Sequence, residues 1–263
     1  MAENRRKWPL VDDGPRMNGR GHRERLKVRL KFPCAPNALG FVLVLASANN
    51  PVAAWAGQVP PAAAAGGGVV ISSEVSADQL RQCLSDLKGA NIEFVELGSV
   101  SKDGCTVEGA IELDAVLSPF GKVSIPNKPT MACVFARQFT TWVRNVAAPL
   151  SLAYMGSKLV AIETGAGLVC RTRYTKPDEK ISEHAKGNAI DIAAFRLENG
   201  RSLSVKDASA STQIDGVLMK TFRATGCGYF TTILGPGSNE AHKDHLHFDY
   251  GMHGNTYNYR ICE

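Results

Sequence analysis

Two short stretches hold four of the five histidines that lie beyond residue 56. The first runs Ser182-Glu183-His184-Ala185-Lys186-Gly187-Asn188-Ala189-Ile190-Asp191, and the second runs His242-Lys243-Asp244-His245-Leu246-His247-Phe248-Asp249. A His followed seven positions later by an Asp, joined to a distant His-x-His, supplies three ligands of borderline hardness. Catalytic zinc sites take three such protein ligands and keep a fourth position for water. Two imidazoles and one carboxylate leave the ion a net charge of about +1, which acidifies water toward neutral pH. One further group must then take the proton and pass it to a leaving amine. His245 is the candidate general base, His242 a helper beside it, and Asp249 the carboxylate that orients a ligand ring. A lone His-x-His arises often by chance, but two clusters in a chain with so few histidines do not read that way.

These residues must be brought together by strands. Alternation along a strand at residues 245–250 puts His245, His247 and Asp249 on one face and sends Leu246 and Phe248 to the core. The same parity in a strand at 188–195 groups Ala189, Asp191 and Ala193 opposite Ile190 and Ile192. If the two strands are neighbours, Asp191 and His247 converge, and Gly187 with Asn188 lets the chain turn His184 back over the same spot.

Around them the pattern predicts a helix capped by Ser76 with Leu80, Cys83, Leu84 and Leu87 on one face, and a strand at 107–116. A buried helix is predicted at 131–147, whose Phe135, Phe139 and Trp142 are core. Strands at 160–163 and 168–171 flank Thr164-Gly165-Ala166-Gly167 as a hairpin turn. A strand at 202–205 and a helix at 214–224 with Gly226 just past its end complete the reading. The fold class is α+β with a mainly antiparallel sheet and packed helices.

The N-terminal part reads as a targeting segment. Arg20, Arg23, Arg25, Lys27, Arg29 and Lys31 precede an apolar run from Ala38 to Ala46, and Ala54-Trp55-Ala56 offers a small-x-small cleavage pattern. Residues 1–56 are therefore expected to be a signal peptide, with Met17 as an alternative start. The apolar run falls short of the ~20 residues of a membrane span; a leader left uncleaved would act as an N-terminal anchor. Residues 57–74, rich in Ala, Gly and Pro, form a linker, and 75–263 form one domain. The leader takes ten of the 30 Lys/Arg and four of the 25 Asp/Glu, leaving 20 basic against 21 acidic residues. A basic footprint for nucleic acid is absent from the domain.

Of seven cysteines, Cys34 lies in the leader, so Cys83, Cys105, Cys133, Cys170, Cys227 and Cys262 remain. An even count in an exported chain predicts up to three disulfides among 15 connectivities, in a periplasmic or cell-envelope setting. No Cys-x-x-Cys occurs, which argues against a four-cysteine zinc site.

Cys170-Arg171-Thr172-Arg173, the stretch from Ser182 to Ile192, Gly235-Pro236-Gly237 and His242-x-Asp244-His245-x-His247-x-Asp249 together resemble the bacterial extensin-like C-terminal domain family, from about residue 79 to the end. The same motifs are similar to a wider group of zinc peptidases that contains lysostaphin, D-alanyl-D-alanine peptidases and the hedgehog signalling domain. That resemblance implies a peptidase-like fold and Zn2+ on His184, Asp191 and His247. The His-x-x-His-x-His spacing of the penicillin-insensitive murein endopeptidases is matched by His242, His245 and His247, which implies His245 as base and His242 as an active-site helper. In the D-alanyl dipeptidase branch a Glu three residues before the last ligand is the base; here the shorter Asp244 stands there, on a parity that points away from His247. An upstream Arg of that branch stabilises the anionic intermediate, a role that falls on Arg171 or Arg173, with a surface ion pair as the alternative. Lys186 reads as a solvated loop charge. The resemblance implies an exported zinc hydrolase cutting amide bonds in peptidoglycan peptides, as an endopeptidase or a carboxypeptidase. Two other readings use the same residues. A zinc-containing wall-binding module predicts tight metal without cleavage, and a regulator of another wall enzyme predicts a stable protein partner.

Overall fold

The computed structural model describes residues 76–173, 180–253 and 259–263. The expected signal peptide, its alternative start and the linker lie outside the described residues.

The first helix, α1 (Ala77–Gly89), starts where Ser76 closes a capping box: Gln79 N–H donates to Ser76 Oγ at 3.2 Å and Ser76 N–H donates to Gln79 Oε1 at 2.9 Å. Its inner face buries Cys83 and Leu87, with Leu80 and Leu84 packed at the margin. Strands β1 (Ile92–Lys102) and β2 (Cys105–Ser118) form a long antiparallel hairpin, followed by β3 (Gly121–Ser124) and β4 (Thr130–Ala132).

The buried helix begins two residues later than its pattern suggests and runs further. It comprises α2 (Cys133–Trp142), a π turn over Val143–Ala147 and α3 (Ala148–Met155). Pro149 explains the wide turn. It brings no N–H, and its ring would meet the carbonyl four residues back, so the helix widens by one residue just before it, with Ala148 N–H donating to Val143 O.

Next come β5 (Leu159–Thr164), a 3-10 turn (Glu183–Lys186), β6 (Ala189–Leu197), β7 (Ser202–Ser204), α4 (Val205–Ala210) and α5 (Ile214–Gly226). After β8 (Thr232–Leu234), a second 3-10 turn (Glu240–His242) leads into β9 (Leu246–Asp249) and β10 (Ile261–Cys262). One sheet takes the order β1-β2-β3-β5-β6-β9-β8-β10, with β4 against β2 and β7 against β6. Among the strands of the described residues only β3 with β5 and β8 with β10 pair in parallel, so the fold is α+β with a mostly antiparallel sheet.

The helices cover one face of this sheet. Trp142 sits at the centre of the core, 5.0 Å from the ring of Phe248 and 5.7 Å from that of Phe222. Ile190, Ile192, Leu246 and Phe248 are fully buried in that core. The opposite face of the same two strands is left for chemistry.

Three expectations need correction. Residues 168–171 are not a strand, and Thr164-Gly165-Ala166-Gly167 is not a hairpin turn: β5 pairs with β6 instead. Thr130 N–H donates to Ala166 O and Leu168 N–H to Thr130 O, a single bridge to the start of β4, and Val169 N–H then turns to His184 O, so the run extends no ladder. Strict alternation fails in β6, because Glu163 pairs with Ala194 and Thr164 with Ile192, leaving Ala193 as a bulge. The core side thereby passes from Ile190 and Ile192 to Phe195 and Leu197. Finally, Gly226 is the last residue of α5 rather than the one beyond it.

The six cysteines join as Cys83–Cys133, Cys105–Cys170 and Cys227–Cys262. Three such bonds belong to an oxidising compartment outside the cytoplasm. Among the described residues no helix is long and apolar enough to cross a membrane.

Candidate metal centre

β6 and β9 are antiparallel neighbours, and their register sets Asp191 directly opposite His247 and Ala189 opposite Asp249. Cross-strand partners share a face, so the carboxylate of Asp191 and the ring of His247 meet on the side away from Trp142. His184 arrives from the preceding 3-10 turn. Gly187 ends that turn at φ 68°, where a Cβ would stand 2.8 Å from Ala132 N, so glycine is what lets the chain reverse this close to β4.

The three side chains close on one point. His184 Nε2 lies 3.2 Å from Asp191 Oδ1 and 3.2 Å from His247 Nδ1, and His247 Nδ1 lies 2.9 Å from Asp191 Oδ1. Each ring is pinned from behind by an oxygen. His184 Nδ1 donates to the Gly167 carbonyl at 2.8 Å, and His247 Nε2 donates to Asp249 Oδ2 at 3.1 Å. A carbonyl and an ionised carboxylate only accept, so the outer nitrogens carry the protons and the inner ones keep lone pairs. Three lone-pair atoms facing one another must share a cation. Tetrahedral zinc ligands at ~2.0–2.1 Å stand about 3.4 Å apart, close to the spacings found. The group His184, Asp191 and His247 can therefore hold a metal ion.

Without metal, a proton takes that place. Burial alone would lower the pKa of His247, but the hydrogen bonds its ring donates to Asp191 and Asp249 outweigh it and raise it to about 9. Burial likewise opposes ionisation of Asp191, yet His184 and His247 hold its carboxyl well below the usual range. Asp249 is also lowered, with its hydrogen bond from His247 overcoming burial. Asp249 accepts further from Gly251 N–H at 3.0 Å and Thr231 Oγ1 at 3.4 Å, which fixes it behind the ring.

His242 and His245 stand beside the cluster. The ring centroids are 5.3 Å apart, and His242 is 5.4 Å from His247. His242 Nδ1 donates to Asn239 Oδ1 at 2.7 Å, and His245 Nδ1 donates to Asp244 Oδ1 at 2.9 Å. His245 Nε2 is 3.6 Å from Asp191 Oδ1. Burial, with the neighbouring charges of His247 and His245, pushes the pKa of His242 down to about 4, so this ring is neutral at pH 7 and accepts through Nε2. His245 precedes β9 rather than belonging to it, and Asp244 lies against its ring; the strand parity expected for Asp244 does not apply.

A cleft of about 550 Å3 covers the cluster and is lined by Arg171, Arg173, His242, His245 and His253, among others. Thr172 bridges to Ile181 in antiparallel fashion, which leaves Arg171 and Arg173 on the same side. Among the described residues neither guanidinium pairs with a carboxylate. Lys186 is exposed, as expected of a solvated charge, and its Nζ also pairs with the buried Glu183 at 2.7 Å.

Sequence reasoning missed four contributors. The Gly167 carbonyl and Thr231 act by backbone or hydroxyl contacts that carry no pattern. His253, with Nε2 2.8 Å from Thr232 Oγ1, is a lone histidine that only tertiary structure brings to the cleft. Asn239 had a signal: it caps the second 3-10 turn, accepting from Ala241 N–H at 3.1 Å, three residues before His242.

A family model described as extensin-like protein C-terminus matches residues 81–263, and the chain belongs to that family. No curated protein and no solved structure matches it.

Proposed function

We propose that this extensin-like domain is an exported zinc hydrolase that cuts amide bonds in peptidoglycan peptides. The observation that carries the reading is the convergence of His184 Nε2, Asp191 Oδ1 and His247 Nδ1 beneath an open cleft, with the bare nitrogen of His245 next to them. His184, Asp191 and His247 would hold the zinc ion, which would supply an acidified water and polarise an amide carbonyl.

His245 Nε2 takes the proton that the attacking water loses as its oxygen joins the amide carbon. It returns that proton to the amide nitrogen as the C–N bond breaks, so the ring ends neutral and both products are complete. Arg171 sits on the cleft wall as the donor to the carbonyl oxygen when it becomes negative. His242, neutral and with Nδ1 tied to Asn239, presents an acceptor to a substrate N–H. Asp249 keeps His247 in the tautomer that binds metal.

Peptidoglycan as substrate is supported by the three disulfides, which fit a compartment outside the cytoplasm, and by the motif resemblance to murein peptidases. The decisive experiment incubates the zinc-loaded protein with intact sacculi and reads the digest by mass spectrometry beside His184→Ala and His245→Ala. New muropeptides that vanish in both variants are expected. Stoichiometric zinc without cleavage would replace this reading by the wall-binding or regulatory module.

A further inference from the structure

The two histidines beside the cluster differ in what stands behind them. Each uses Nδ1 to reach an oxygen and keeps Nε2 for the cleft, but His242 leans on the neutral amide of Asn239 at 2.7 Å and His245 on the carboxylate of Asp244 at 2.9 Å. An amide oxygen orients a ring. A carboxylate both orients it and stabilises the imidazolium that forms when the ring takes a proton, because the charge-assisted hydrogen bond strengthens as the ring becomes cationic. We infer that Asp244 is a positioning residue that fixes His245 as the Nδ1–H tautomer and makes it, rather than His242, the ring that carries the proton during amide cleavage. This rests on the hydrolase reading for its catalytic half, while the tautomer itself is a property of the folded chain.

The groups facing His245 agree with this division. Asp191 Oδ1 lies 3.6 Å from Nε2 on the metal side, and the ring of His242 lies 5.3 Å away. Asp244 is the second carboxylate in contact, on the far edge of the ring. Its side chain is 41 % exposed, against 16 % for His245, so water screens the pair in part and its loss should cost less than that of a fully buried dyad. Asp244 also occupies the position where a neighbouring branch of the peptidases places its base. Here the carboxylate is engaged by His245 and works through that ring.

Two measurements test the inference. Nitrogen-15 NMR of the imidazoles in the zinc-loaded protein, at a pH where the ring is neutral, is expected to show His245 protonated at Nδ1 and bare at Nε2. Asp244→Ala should convert this into a mixture of tautomers while His242 stays as it was. In the sacculus digest, Asp244→Asn should lower kcat by about 10–100-fold with KM and zinc stoichiometry unchanged, and Asp244→Glu should recover part of the loss. A His245 ring protonated at Nε2, or a tautomer indifferent to Asp244→Ala, would overturn the inference whether or not the protein cleaves anything. In a protein that does cleave, full kcat in Asp244→Asn would overturn it as well.

Discussion

Loading the centre with zinc should expel a proton, and the amount can be worked from the cluster. Metal and proton compete for the same space between His184 Nε2, His247 Nδ1 and Asp191 Oδ1. In the metal-free protein His247 titrates at about 9, so at pH 7 the ring holds its proton and zinc must displace it. Two pH units at 1.36 kcal/mol each make that displacement cost roughly 3 kcal/mol. Apparent affinity should therefore climb about tenfold per pH unit between pH 7 and 9 and flatten above. Calorimetry in two buffers of different ionisation enthalpy reads the protons directly: about one from His247 at pH 7, falling toward none above pH 9. Asp249→Asn removes one of the two hydrogen bonds that raise His247, so it should reduce the release at pH 7. An affinity that is flat across this range, with the same release in Asp249→Asn, would refute the shared-cation argument. The sign for stability follows from the same shift. A histidine raised above its ordinary 6.5 stabilises the metal-free fold below that pH and loses the contribution as pH rises through about 9. Asp191, lowered, contributes above the ordinary carboxylate range and loses its share as pH falls below it. The gain in Tm on adding zinc should thus be largest on the alkaline side.

Phe248→Ala should destabilise the domain by about 3–5 kcal/mol in denaturant melts, since its ring packs on Trp142 at 5.0 Å and Phe230 at 4.8 Å; zinc affinity should fall too, because His247 is its neighbour on β9. Cys105→Ser with Cys170→Ser frees the segment that brings the Gly167 carbonyl to His184 and carries Arg171, with an expected loss of about 2–5 kcal/mol and weaker zinc binding by titration. Gly167→Ala forces a Cβ to within 2.2 Å of Thr130 O at φ 75°, so the loop must shift and His184 loses its acceptor; metal content by mass spectrometry should drop while the circular dichroism of the sheet persists.

Much of the candidate site could be read from the chain because its chemistry is local. His184 and Asp191 share one segment, His242, His245 and His247 another, and the strand period alone says which of these side chains leave the core. Alternation held in β9, where Leu246 and Phe248 are fully buried, and in β6 until Ala193. Beyond that bulge it failed, since a bulge answers to the partner strand and not to residue type. The run at 168–171 looked like a strand because its residues are apolar, but its contact with a strand ends at Thr130 of β4, and Val169 N–H goes to His184 O instead.

What the sequence determined by itself, then, was the class of fold, the set of residues with metal-ligand chemistry and the oxidising setting of the cysteines, because composition, period and residue type act over a few positions. The tertiary structure alone decided the register that sets Asp191 against His247, the pairing of six cysteines, and the Gly167 carbonyl that stands behind His184. Those are contacts across 17 to 65 positions of chain. They are fixed only when the whole apolar face around Trp142 packs, and no local pattern encodes them.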